Sequence, residues 1–205
     1  MQGKTHNMVG IACALSVAGI INGGDVSIPV VATSFVAGGF GALAPDLDVE
    51  ESVGRSVLKR FIKIGMILLL LYRLLNNYVC GVPLPMPISN TKVIISWAIL
   101  AAIYFIGMHT KHRTFMHSLM VCIVSALCIY ILLPNFALYY FIGYISHLLL
   151  DLLNKKPEQL LWPLPQGNVC LKLCDSDGVV DALLFMGANI ASVVLLMFFF
   201  INSCK

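Results

Sequence analysis

The stretch Gly143-Tyr144-Ile145-Ser146-His147-Leu148-Leu149-Leu150-Asp151-Leu152-Leu153-Asn154 decides how this chain is read. It closes an apolar run over residues 136–153, which approaches the length of a membrane helix. His147 and Asp151 stand at i and i+4, so they leave one helix face about 6 Å apart with only leucine between them. Ionisable groups are costly in such surroundings and persist where they pair, meet water or bind a metal. The pair alone supports two readings: a neutral histidine bonded to the aspartate that fastens the helix to a neighbour, or part of a metal site.

Six further apolar stretches surround it, at about 8–22, 28–44, 61–75, 93–108, 117–133 and 179–201. The 205 residues are 59% hydrophobic and only 11% charged, against roughly 25% charged in a soluble domain, and the mean hydropathy is +0.90. The expected architecture is an all-α, polytopic membrane helical bundle of about five to seven spanning or partly spanning helices, forming a single integral membrane domain over 1–205. A disordered chain, a disulfide scaffold and a nucleic-acid binder are all poor matches. The net charge of +3 is too small to imply a polyanionic partner. Several stretches fall short of the roughly 20 residues of a full span, so tilt or partial burial is expected. The 28–44 run, with Gly38, Gly39 and Gly41, is the weakest span, although such glycines also mark close helix contact.

Turn signals separate the runs: Asn22-Gly23-Gly24-Asp25, Pro45 with its acidic neighbours, Pro83-Leu84-Pro85-Met86-Pro87, Pro134-Asn135, and a polar stretch over 154–178. Seven alternating segments place the N-terminus and the 45–60, 109–116 and 154–178 loops on one side. That side collects every Lys and Arg except Arg73, Lys92 and Lys205, so the positive-inside rule makes it cytoplasmic. The first apolar run reads as a retained anchor, with a signal peptide the other option. The seven cysteines are odd in number, and Cys13, Cys122 and Cys128 lie inside apolar runs, where they read as small hydrophobes. Cys170 and Cys174 lack the second Cys or His pair that a structural metal site needs.

All five histidines and most of the carboxylates fall at or near the same face. Pro45-Asp46-Leu47-Asp48 follows the second run, and proline disfavours helix at the residue before it, so both aspartates belong to an irregular interfacial segment. Two carboxylates so close repel unless a cation or solvent compensates. Glu50 and Glu51 continue the acidity and leave a solvated acidic loop as the plainer option. In His112-Arg113-Thr114-Phe115-Met116-His117-Ser118 the histidines are five apart, so they face one centre only if His112 precedes a helix and His117 occupies its first turn. His109 ends an apolar run without a carboxylate partner and reads as interfacial. With His6, these segments give an imidazole- and carboxylate-rich, thiolate-free donor set. Such a set suits zinc, manganese, magnesium or iron in a hydrolytic site with open coordination positions.

Thr5-His6, Pro45-Asp46-Leu47-Asp48, His112-Arg113-x-x-x-His117-Ser118, Gly143-Tyr144-x-Ser146-His147-x-x-x-Asp151 and Leu161-Trp162-Pro163, in this order, resemble the YdjM-like family of bacterial membrane-bound metal-dependent hydrolases, whose members are described as LexA-regulated. The likeness covers roughly residues 1–60 and 109–165, and 61–108 looks like a family-variable helical hairpin insertion. Thr114 and Met116 stand where the family pattern is closer to Gly and Thr, while both histidines are kept. The resemblance implies an inner-membrane hydrolase, distantly similar to zinc-dependent phospholipase C and related phosphoesterases. The sequence carries no sign of a LexA interaction.

On these grounds His6, Asp46, His112, His117, His147 and Asp151 are expected to hold one or two divalent metal ions, zinc foremost. Asp48 is expected to act as a further ligand or as a base. Arg113 reads either as a positive-inside anchor or as a partner for substrate phosphate, Trp162 as an interfacial residue, and Asp181 as a helix cap before a late ligand. A site at the cytoplasmic lip suits a lipid or other amphiphilic phosphoester entering from the bilayer. The competing class is a non-enzymatic metal-binding or transport protein, which needs polar groups reaching both faces, whereas the far half of this chain offers only Asp25 among acids.

Overall fold

The computed structural model describes residues 1–49, 52, 55–56, 60, 91–164 and 168–203. The apolar run at 61–75, the proline-rich turn, Glu50 and Glu51, and most of the expected hairpin insertion lie outside the described residues. Six α-helices account for the other apolar runs: α1 (Gly3–Ile21), α2 (Ile28–Leu43), α3 (Thr91–His109), α4 (Leu119–Leu132), α5 (Pro134–Leu152) and α6 (Val179–Ser203). A short 3-10 turn, Pro45–Asp48, follows α2, and a two-stranded antiparallel ribbon joins β1 (Glu158–Gln159) to β2 (Asn168–Val169). The helical membrane bundle expected from hydropathy is the architecture observed.

Local chemistry fixes the helix ends. Pro29 and Pro134 lie in the first turns of α2 and α5, where the missing N–H would have had no partner. Ser118 caps α4 by accepting a hydrogen bond from Val121 N over 3.2 Å. Among the described residues α1, α3 and α6 are long and apolar enough to cross a membrane, while α2 and α4 are shorter apolar helices. The 19-residue α5 carries the ionisable pair and is not in the first group.

Packing centres on α1, α2 and α5. A Cβ on Gly38 would meet Ala14 Cβ at 2.5 Å and Gly10 O at 2.8 Å. One on Gly143 would collide with the Gly38 carbonyl, and one on Gly41 with the Tyr140 carbonyl. Only glycine allows these backbones to lie so close, which is how helices without a hydrophobic driving force between them gain dispersion contact. The glycines that weaken 28–44 as a free-standing span are therefore what seats α2 between α1 and α5. Helix α6 packs on α1, α4 on α5, and α3 on α4.

This arrangement has one functional consequence. Helices α1, α4 and α6 begin, and α2, α3 and α5 end, at the same end of the bundle, so His6, the 3-10 turn, His112, His117, His147 and Asp151 all gather there.

Candidate metal centre

Each element delivers its side chains for a local reason. Helix α1 brings His6 in on its first turn, buried to 1% exposure. The 3-10 turn after α2 breaks the helix at Pro45 and swings Asp46 and Asp48 across the bundle end. Helix α5 presents His147 and Asp151 on its last turns, with 0% and 2% exposure. Between α3 and α4 a compact loop carries His112 and His117. His117 lies one residue before the cap of α4 rather than in its first turn, because Ser118 takes the capping position. Arg113 holds φ at 65° in that loop, a conformation that costs a non-glycine residue about 1 kcal/mol or more. Gln159 N donates to Arg113 O over 2.9 Å and Arg113 Nη1 to Lys156 O over 2.6 Å, and these bonds offset the strain.

Two three-residue groups result, each with its potential ligand atoms within 4.8 Å of one another: His6, His147 and Asp151, and Asp46, His112 and His117. They are neighbours. Asp46 Oδ1 lies 3.7 Å from His147 Nε2 and 3.8 Å from His117 Nε2, and Asp151 Oδ2 lies 3.6 Å from His117 Nε2. His6 stacks on His147 at 3.8 Å between ring centroids, with its Nε2 3.2 Å from Asp151 Oδ1. His147 Nδ1 donates to Ala42 O at 2.6 Å, so its Nε2 keeps a lone pair facing inward.

These residues suit a divalent cation. His147 Nε2 and both ring nitrogens of His117 are buried without any hydrogen-bond partner, an arrangement whose desolvation cost is left uncompensated unless something electrophilic is bound. Burial, helped by the charge of His147, lowers the pKa of His117 well below the ordinary histidine value, which keeps its imidazole neutral and able to coordinate. The donors are imidazole nitrogens and carboxylate oxygens, and neither group includes a cysteine, which favours zinc, manganese or iron over soft-metal chemistry.

Asp48 stands outside both groups. Its Oδ1 accepts from His112 Nδ1 at 3.0 Å, and its Oδ2 lies 3.7 Å from His117 Nδ1. Burial raises its pKa, against the opposing pull of His112. The geometry makes it a carboxylate that orients the His112 imidazole and lies beside that of His117. Arg113 does not point outward as an anchor would: its Nη2 lies 2.9 Å from Asp151 Oδ2. His109 is exposed and bonded through Nδ1 to Phe105 O, in keeping with an interfacial role. Asp181 is buried and accepts from Gln2 N over 3.2 Å, so it caps the start of α1 rather than its own helix. Trp162 stacks edge-on against Phe115 at 5.0 Å and braces the His112–His117 loop from outside.

Sequence reasoning missed Glu158. It lies on β1 with 0% exposure and both carboxylate oxygens lack a partner. Burial, and secondarily the negative charge of Asp151, pushes its pKa up to about 9, while Arg113 pulls it down. An acid two residues before Leu160-Leu161-Trp162, seven residues after Asp151, was the one signal available for it.

Fold and site together define a helical membrane protein with a cluster of potential metal ligands at one end of its bundle. Residues 1–204 match the family described as YdjM inner membrane protein, and the chain belongs to that family. No curated protein matches the chain, and no solved structure does.

Proposed function

We propose that this protein is a metal-dependent hydrolase, a phosphoesterase that acts on a lipid or other amphiphilic substrate at the cytoplasmic face of the inner membrane. The observation that carries the reading is the pair of adjoining ligand groups, joined through Asp46 and Asp151, whose inward nitrogens on His117 and His147 are buried and unpartnered.

His6, His147 and Asp151 would hold one divalent ion, and Asp46, His112 and His117 a second. Such ions lower the pKa of a bound water towards neutrality and polarise a phosphoryl oxygen. The chain's own residues do the rest. Ala42 O and Asp48 fix the rotation of His147 and His112, so the coordinating nitrogens are set before substrate arrives. Arg113, beside Asp151, supplies a guanidinium suited to phosphate oxygens. The apolar helices around the bundle end leave the lipid side as the approach for an acyl or alkyl tail.

The test is elemental analysis of the detergent-purified protein, followed by assays against phospholipid and simple phosphoester substrates with and without chelator. Bound zinc or manganese and chelator-sensitive turnover support the reading. Asp46→Ala and His147→Ala proteins that fold and keep their full metal content would sink the ligand assignment. Stoichiometric metal with no hydrolysis of any phosphoester would leave metal binding or transport as the better account.

A further inference from the structure

Arg113 and a divalent cation draw on the same atom. Asp151 Oδ2, which accepts Arg113 Nη2 at 2.9 Å, is also the oxygen 3.6 Å from His117 Nε2 and 3.9 Å from His147 Nε2. A cation seated among those nitrogens claims it, and the guanidinium, itself positive, is repelled from the same place. Arg113 therefore needs a second acceptor nearby.

The molecule contains one. Glu158 is closed to solvent and neither of its oxygens has a partner. Its strand is also tied to Arg113, through Gln159 N to Arg113 O and through Lys156 O to the guanidinium. The guanidinium is thus already bonded to the segment that carries Glu158. A carboxyl group buried without a hydrogen bond is costly, and pairing with Arg113 removes that cost.

We infer that Glu158 is the positioning residue for Arg113, giving up its proton to solvent and receiving the guanidinium when a divalent cation takes Asp151. This rests on the metal-site reading above and extends it. With Glu158 in place, the site accepts its cation without stranding Arg113, and the arginine stays beside the centre, where its remaining N–H groups face an anionic substrate.

The experiment measures the affinity of the detergent-purified full chain for Zn²⁺ and Mn²⁺ by competition with a fluorescent chelator. The proteins compared are wild type, Glu158→Gln, Arg113→Ala and the double variant. Glu158→Gln is expected to bind about tenfold more weakly, the scale of an ordinary coupling between sites. Arg113→Ala is expected to bind at least as tightly as wild type, and the double variant to match Arg113→Ala. Unchanged affinity in Glu158→Gln overturns the inference. So does an equal loss in the Arg113→Ala background, since that would be a simple charge effect. If Glu158→Gln fails to fold, Glu158→Met, also neutral and of similar volume, takes its place in the cycle. A wild-type protein that takes up neither metal overturns the metal-site reading together with this inference. The predicted affinity pattern without phosphoester turnover upholds the inference and removes only the hydrolase assignment.

Discussion

At the far end of the bundle Asn202 Nδ2 donates to Gly24 O over 3.4 Å and Asn22 Nδ2 to Ala18 O over 2.8 Å, neutral bonds that tidy helix ends. At the near end His6, His112, His117 and His147 crowd against Asp46, Asp48, Asp151 and Arg113. Both ends close the same helices, so the charges are not what helix packing requires. Buried ionic groups cost several kcal/mol each unless compensated. Among the described residues the buried ionic groups gather at one end, and that concentration has a use beyond holding the fold.

The difference between the ends can be broken most forcefully at Asp151, which faces His6, Arg113, His117 and His147 at once. Asp151→Ala is expected to cost about 3–5 kcal/mol, the penalty for leaving a partly buried cation unpaired, and to abolish stoichiometric metal. Thermal melting in detergent and elemental analysis check both effects, and a stable, metal-replete Asp151→Ala protein would refute the centre.

Asp48→Asn keeps the shape but weakens the charge-assisted hold on His112, and metal affinity is expected to fall by about 10–100-fold with little loss of stability. If affinity is unchanged, Asp48 is an ordinary acidic residue of the turn.

The pH dependence sharpens the contrast further. The folded pKa of Glu158, about 9, is raised above its ordinary value of 4.5, so the folded chain binds more protons than the unfolded chain between those limits. Stability therefore falls as pH rises through that window, by up to about 1.4 kcal/mol per unit. In chelator, Glu158→Gln should flatten that slope in melts between pH 5 and pH 9 (about the two limits of the window). A wild-type curve with no downward slope would show that Glu158 is ionised and compensated. The smallest effect belongs to the far end: Asn22→Ala is expected to lower stability by at most about 1 kcal/mol and to leave metal affinity untouched. A change in affinity there would mean that the two ends are coupled.

Much of the site was legible in the chain. His147 and Asp151 share a helix face by spacing alone, Pro45 forces Asp46 and Asp48 off a helix, and the parity of the apolar runs brings His6, His112 and His117 to the same end. Less legible were the roles within it. Arg113 read equally well as an anchor or as a phosphate partner, because nothing local distinguishes an arginine facing water from one turned onto Asp151. Asp48 read as ligand or base, and its place between two imidazoles depends on a turn whose fold comes from packing against α3 and α5. Glu158 was missed because its burial depends on a ribbon paired across a loop, Glu158 opposite Val169.

Hydropathy, helical spacing and proline placement are local properties, so the sequence by itself determined a helical membrane protein with potential ligands gathered at one end. Which of those ligands meet, and through which atoms, depends on how far each helix is rotated and how closely it approaches its neighbours. That was decided only where Gly10, Gly38, Gly41 and Gly143 let α1, α2 and α5 close on one another. Some of these contacts, such as Gly38 with Gly143, join residues more than a hundred positions apart, and no pattern along the chain encodes their geometry.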